Sequence, residues 1–254
     1  VHDEKYAGES ASSKLAKISE EARECGADAV LMTALDEIAW TLNIRCNDVK
    51  HTPVATSYLY IRDGKGILFI DPAKLTHETT AYLASQGVVT EAYDAIKNFL
   101  RNVKHSELVL VDINSISVAL YDILVNNRLV KSPTTAARLK SVKNPAQIAG
   151  VQAAMVRDGA ALVRAFMELE KRLAEGVDTT ELDVADLLHK YRSRGENYFD
   201  ESFGTIAGYG THGAIVHYEA TEESKSTLRR EGLLLVDSGA QYLDGTTDIT
   251  RMFC

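Results

Sequence analysis

Apolar residues recur at helical spacing over residues 11–25, where Leu15, Ile18, Ala22 and Cys25 share a face. Gly26 follows where a glycine commonly ends a helix, and Cys25 on that stripe is expected to be a small, partly buried hydrophobe. The run Ala29-Val-Leu-Met-Thr33 reads as a short buried strand, and residues 36–42 as a helical turn holding the only tryptophan, Trp40. Strands are predicted at 57–61, 66–70 and 107–111. Asp63-Gly64 joins the first two, a dipeptide suited to the positive φ angles of a two-residue hairpin turn. Helices at 75–85, 94–103 and 117–125 fill the gaps, so the first part of the chain, to about Pro133, is an α/β layered domain.

The pattern then changes. Asn144-Pro145 opens a long helix, since Asn caps well and proline suits the first helical position. Ile148, Val151, Met155, Leu162, Phe166, Leu169 and Leu173 trace its expected apolar stripe, and Gly176 ends it. A second helix starts at Thr180-x-x-Asp183, an acidic form of the capping box. It is expected to bury Leu182, Ala185, Leu188 and Tyr191, with Gly195 closing it. From Ser202 the chain reads as β-rich and glycine-punctuated. The boundary falls near residue 140, giving domains 1–140 and 141–254, with no internal repeat.

Composition narrows the function classes. A chain of 254 residues with 45% apolar content can bury real cores, and it has no apolar run long enough to span a bilayer. The net charge is −8 and the basic residues are scattered, which argues against a nucleic-acid partner. Cys25, Cys46 and Cys254 form neither a disulfide framework nor a zinc pattern. With no targeting run, a soluble protein of a reducing, cytoplasmic compartment is expected, without membrane partners.

The chemistry concentrates at the end. In Leu233-Leu-Leu-Val-Asp237-Ser-Gly-Ala-Gln-Tyr-Leu-Asp244-Gly245-Thr-Thr-Asp248-Ile-Thr-Arg251, an apolar strand runs into one acid and a Thr/Ile-rich return arm carries another. Taken alone, such acids are ordinary turn and hairpin-end residues. They also suit hard divalent cations, which take oxygen ligands. Upstream, His217 follows the apolar run Ala214-Ile-Val216 and precedes Tyr218, so it is expected at a strand end.

The string DSGAQYLDGTTDITR resembles the first metal-ligand hairpin of Xaa-Pro aminopeptidases (aminopeptidase P), members of the pita-bread metallopeptidases. Ser202-Phe203-Gly-Thr-Ile206, Gly213-Ala-Ile-Val-His217-Tyr218, Lys5-Tyr-Ala-Gly8 and Leu35-Asp-Glu-Ile-Ala-Trp40 extend the resemblance over essentially the whole chain. It implies a creatinase/prolidase-like mixed-sheet α/β domain followed by the first half of a pita-bread catalytic domain. It also implies that Asp237 and Asp248 ligate two divalent metals, manganese first, with zinc or cobalt as alternatives. His217 would act on substrate. The implied reaction is metal-dependent hydrolysis that releases the N-terminal residue from peptides with proline second, by a homodimer or larger oligomer. The family's remaining His and two Glu ligands would come from a second half. The chain therefore reads as a middle slice, inactive alone, with metal absent or weakly held. Alternatives are a prolidase-like dipeptidase or an inert pita-bread peptide-binding module.

Three local departures and one geometric tension accompany the resemblance. Cys46 stands where the N-x-R-G-x-D pattern has glycine, so a positive φ there would strain it. Gly204 stands where many relatives carry Asp, and His212, where they commonly carry Asn, is left without a role. A tight turn at Asp244-Gly245 would pair Gln241 with Asp248 and leave Asp237 about 13 Å away. A shared metal then requires a bulge or irregular turn between Gly239 and Thr247 that sets Asp248 opposite Asp237. His217 is expected to face the same cavity, within direct or water-mediated reach of one acid.

Overall fold

The computed structural model describes residues 1–125 and 128–254, in two compact units, Val1–Asn144 and Pro145–Cys254. The first unit runs α1 (Glu4–Ala7), α2 (Ala11–Glu24), β1 (Ala29–Met32), α3 (Leu35–Leu42), β2 (Ser57–Arg62) and β3 (Lys65–Ile70). It continues through α4 (His77–Ser85), β4 (Val88–Ala92), α5 (Ala95–Arg101), β5 (Leu108–Val111), α6 (Val118–Leu124), β6 (Arg128–Lys131) and α7 (Thr135–Ser141).

Six strands form one mixed sheet in the order β4-β3-β2-β1-β5-β6. Its period-two alternation makes two cores, one on each face. Val30, Met32, Leu59, Ile61, Leu68 and Ile70 pack with Leu15, Ile18 and Ala22 of α2 and with Leu42 of α3. Ala29, Leu31, Tyr60 and Phe69 pack instead with Ile96 and Leu100 of α5 and with Leu120 and Leu124 of α6. Four elements escape the sequence reading: α1, β4, β6 and α7. The two strands lie at the sheet's edges, where burial on both faces is not demanded, and α7 fully buries only Ala136. Cys25 is exposed, because α2 ends one residue earlier and its inward stripe closes at Ala22. Cys46 is unstrained. The positive φ of that loop falls at Asn43 (51°), and the Cys46 thiol donates to Asp48 Oδ1 at 3.3 Å.

The second unit comprises α8 (Pro145–Ala174), α9 (Glu181–Arg192) and β7 (Tyr198–Glu201), then β8 (Ile206–Tyr209) and β9 (Leu234–Ser238). It ends with β10 (Ala240–Tyr242), β11 (Gly245–Thr246) and β12 (Ile249–Phe253). The strands form two three-stranded sheets, β11-β10-β7 and β12-β9-β8. The Thr180–Asp183 capping box is present, with both reciprocal hydrogen bonds. Leu162, Ala165, Phe166 and Leu169 of α8 meet Val184, Leu187 and Leu188 of α9 above Ala207, Leu234, Val236 and Ile249.

Two helical stripes differ from expectation. Ile148, Val151 and Met155 are exposed, and Ala154, Asp158 and Ala161 point inward instead. That part of α8 lies so close to the β10–β11 turn that only small residues fit, and it aims a carboxylate inward. On α9 the buried face is Glu181, Val184, Leu187, Leu188 and Arg192, rotated from the expected one because two buried charges share it. The stretch after β8 is a 3-10 turn, Gly210–Ala214, and then irregular chain up to β9, rather than further strand. Among the described residues no helix is long and apolar enough to cross a membrane.

Candidate metal centre and the turn beside it

Asp237 sits on β9, the middle strand of its sheet, with Ile206 of β8 on one side and Thr250 of β12 on the other. The strand alternates strictly: Leu234, Val236 and Ser238 are buried, while Leu235 and Asp237 are half-buried. Asp237 Oδ1 is itself buried and has no hydrogen-bond partner. A carboxylate oxygen withdrawn from water without a donor is costly, and a bound cation would satisfy it.

Asp248 is exposed, directly before β12. The hairpin turn is not Asp244-Gly245. Tyr242 pairs with Gly245, so the two-residue turn is Leu243-Asp244, one position earlier than expected. The same register carries through to Ser238–Ile249 and Asp237–Thr250, with no extra residue in either arm. Gly239 then lies across from Asp248, and the two acids are diagonal neighbours with Cα atoms about 7–8 Å apart. Shifting the turn brings them together without the expected bulge. The irregularity that does exist is between β10 and the third strand β7, where Gln241 pairs with Asp200 but Tyr242 with Tyr198. At Gly239 the pair passes from one sheet to the other. A Cβ there would fall 2.0 Å from the Thr247 carbonyl oxygen, so glycine is required.

The turn is displaced by packing. A Cβ on Gly150 of α8 would lie 2.2 Å from the Asp244 carbonyl oxygen, and one on Gly245 would lie 3.0 Å from Val151 Cα. The hairpin tip is seated on the helix backbone through these two glycines, and Arg157 pairs with the Asp244 carboxylate.

His217 is not at a strand end. It occupies an exposed turn with φ 55°, a left-handed conformation rare for a residue with a Cβ. The apolar residues before it, Ala214, Ile215 and Val216, are exposed too. Two side chains of the segment around His217 hydrogen-bond to a residue the sequence reading passed over, Glu181 at the start of α9. Its fully buried carboxylate accepts from Tyr209 N (2.7 Å), Ser226 N (2.8 Å), His212 Nδ1 (2.9 Å) and Tyr218 Oη (3.0 Å). The His212 and Tyr218 rings stack, centroids 4.4 Å apart. Burial pushes the Glu181 carboxyl up, but the Tyr209 and Ser226 amides, His212 and Tyr218 outweigh it and hold it below the usual range. An acid in the first turn of a helix ordinarily reads as a surface residue facing the helix dipole, so no pattern in the chain singled it out.

A second buried acid offers a contrast. Asp158 of α8 takes both Arg192 Nε (2.8 Å) and Nη2 (3.0 Å), together with Tyr242 Oη (2.9 Å). Its charge is fully answered within the chain; that of Asp237 is not. Among the described residues no group of three or more His, Cys, Asp or Glu side chains could hold a metal, so Asp237 and Asp248 stand as a pair of acids without a third such donor. The donor chemistry fits a hard divalent cation; the donor number calls for more.

Residues 1–147 match the Creatinase/Prolidase N-terminal domain, and residues 149–254 match metallopeptidase family M24. The chain is 35% identical to aminopeptidase P2 of Arabidopsis thaliana, over 99% of this chain and 40% of that protein. It is 37% identical to Xaa-Pro aminopeptidase 1 of Dictyostelium discoideum, over 98% of this chain and 40% of that one. The crystal structure of the X-prolyl aminopeptidase from Caenorhabditis elegans, described as a cytosolic enzyme with a di-nuclear active site, superposes with a TM-score of 0.95. That likeness is 31% in identity and covers all of this chain and 42% of that one. The chain thus spans about two fifths of the length of these relatives. By its domain matches and its fold, the chain belongs to the creatinase/prolidase N-terminal family joined to the M24 metallopeptidases, in the pita-bread form of aminopeptidase P.

Proposed function

We propose that the whole protein is an Xaa-Pro aminopeptidase, a metallo-hydrolase that removes the N-terminal residue from peptides with proline second. The observation that carries this reading is the buried, unpartnered Oδ1 of Asp237 on a central strand, with Asp248 diagonal to it. In this reading both acids ligate a pair of divalent cations, manganese first, in a cytosolic homodimer. When bound, the cations act as a Lewis acid and make water nucleophilic at neutral pH. Asp237, fixed by strands on both sides, holds its carboxylate at a set depth. Asp248, at the mouth of the hairpin, completes this chain's share of the ligands. His217 hydrogen-bonds the peptide and stabilises charge on its carbonyl oxygen as the carbon becomes tetrahedral. The name of the Caenorhabditis elegans neighbour supports the di-nuclear site and the cytosolic location.

The test is release of the N-terminal residue from an Xaa-Pro peptide with added Mn2+, using protein of the relatives' full length. Asp237→Asn keeps the shape and removes the charge, and turnover is expected to fall by about two orders of magnitude or more. The 254-residue chain alone is expected to bind Mn2+ weakly by calorimetry and to show no appreciable cleavage. Near-normal turnover in Asp237→Asn, or robust metal-dependent cleavage by the 254-residue chain, would put the chemistry elsewhere.

A further inference from the structure

Glu181 has more donors than a helix start needs. Its four partners come from three separate places: the end of β8 (Tyr209), the turn itself (His212 and Tyr218), and the returning chain (Ser226). Ser226 closes a reciprocal pair, because Glu181 N also donates to Ser226 O at 3.2 Å. The two side-chain donors bracket His217, His212 five residues before it and Tyr218 directly after. Tyr218 Oη also reaches Ser224, at 3.2 Å to Oγ, tying the same ring to the return. Within the bracket, Ile215 N bonds His212 O at 3.0 Å and Tyr218 N bonds Ile215 O at 3.2 Å, so the turn is wound back on its anchors.

A left-handed φ at a residue with a Cβ costs conformational energy, which either the twist of a hairpin turn or contacts from outside the turn must offset. Here such contacts have an identifiable source. His217 is exposed, whereas both ring anchors converge on one buried carboxylate. A buried charge needs hydrogen-bond partners, and two of this one's four come from the turn that carries His217.

We propose that Glu181 is a positioning residue for His217: with His212 and Tyr218 it holds the 210–218 turn in the strained form that presents the imidazole to substrate. This rests on the catalytic reading of His217 above, and it gives His212 the role the sequence left open.

The experiment has two arms. In the 254-residue chain, amide hydrogen exchange is followed across residues 209–218 and 224–226, with β9 and β12 as internal reference. Glu181→Gln replaces a carboxylate oxygen with an amide that faces donors, and the Ile215 and Tyr218 amides are expected to exchange about tenfold faster or more, with the reference strands unchanged. His212→Ala and Tyr218→Phe each remove one donor. They are expected to loosen the turn less, and His212→Asn is expected to keep wild-type protection. These single-donor variants carry the test if Glu181→Gln does not fold. In full-length protein, Glu181→Gln and Tyr218→Phe are expected to lower kcat for an Xaa-Pro peptide by about tenfold, with bound Mn2+ unchanged. Wild-type exchange in all of these variants would overturn the proposal. So would a loosened turn with unchanged kcat in a protein where His217→Ala does lower kcat. If His217→Ala leaves kcat intact, the catalytic reading of His217 is what fails, and the exchange arm alone then decides whether Glu181 orders the turn.

Discussion

The chain contains two hairpins with an Asp-Gly dipeptide at the tip, and they use it differently. In the first unit Asp63 and Gly64 are the two turn residues, with φ of 50° and 71°, and Arg62 pairs with Lys65. That is the mirror-image turn whose twist matches its strands, chosen by local backbone preference alone. In the second unit Asp244-Gly245 slips by one position. The turn becomes Leu243-Asp244, neither residue has positive φ, and Gly245 joins the strand. The glycine there serves close approach, since its missing Cβ lets the tip sit on Val151 and Ala154 of α8. The same dipeptide thus answers to conformation in one place and to packing in the other. Register follows from that, and through it the spacing of Asp237 and Asp248.

The carboxylates differ likewise. Asp63 is 70% exposed, with arginine nitrogens no nearer than 3.5 Å, whereas Asp244 is 9% exposed and bonded to Arg157. Asp244→Ala is therefore expected to give the largest loss, about 3 kcal/mol, because it leaves the Arg157 charge uncompensated over the Tyr242 ring. Urea unfolding followed in the second unit checks it, and a loss below about 1 kcal/mol would mean that the ion pair is not what seats the tip.

Gly150→Ala comes next. Helix propensity favours alanine by about 1 kcal/mol, but the new Cβ meets the Asp244 carbonyl oxygen at 2.2 Å, and forcing the hairpin away costs about 3 kcal/mol. The clash wins, for a net loss of about 2 kcal/mol. Stabilisation by Gly150→Ala would show that the tip does not rest on the helix.

Gly64→Ala should cost about 1 kcal/mol from left-handed φ alone, because its Cβ would meet only Ala16 Cα at an ordinary 3.7 Å. Asparagine tolerates that conformation, so Gly64→Asn is expected to recover most of the loss. Gly150→Asn should recover nothing. Equal behaviour of Asn at the two positions would erase the distinction between the hairpins. Asp63→Asn is the smallest change, within about 0.5 kcal/mol, as for other exposed ion pairs.

Much of the architecture was legible before any coordinates. The α2 stripe through Ala22, the Asp63-Gly64 hairpin, the long helix from Pro145 and the Thr180–Asp183 capping box are all local features, and the structure contains each. The edge strands β4 and β6 and the short helix α7 were not legible, because half-exposed elements carry weak periodicity. The inward faces of α8 and α9 were misread for another reason. Hydrophobic patterning assumes that buried means apolar, whereas Asp158, Glu181 and Arg192 are fully buried and lie on inward faces that the apolar stripes did not include.

Sequence by itself determined the helix–strand alternation of the first part, the long helix that follows it and the family, because these depend on periodicity, turn chemistry and motif strings that survive without neighbours. Tertiary structure alone decided which residues make the second hairpin turn, and so that Asp248 lies diagonal to Asp237 rather than far along the strand. It also decided that His217 sits in a left-handed turn and that Glu181 holds its neighbours. The physical reason is common to all three. Each depends on a contact between segments distant in the chain, helix backbone against hairpin tip or buried carboxylate against loop. Such contacts override local preference because a steric overlap or an unanswered buried charge costs more than a turn propensity contributes.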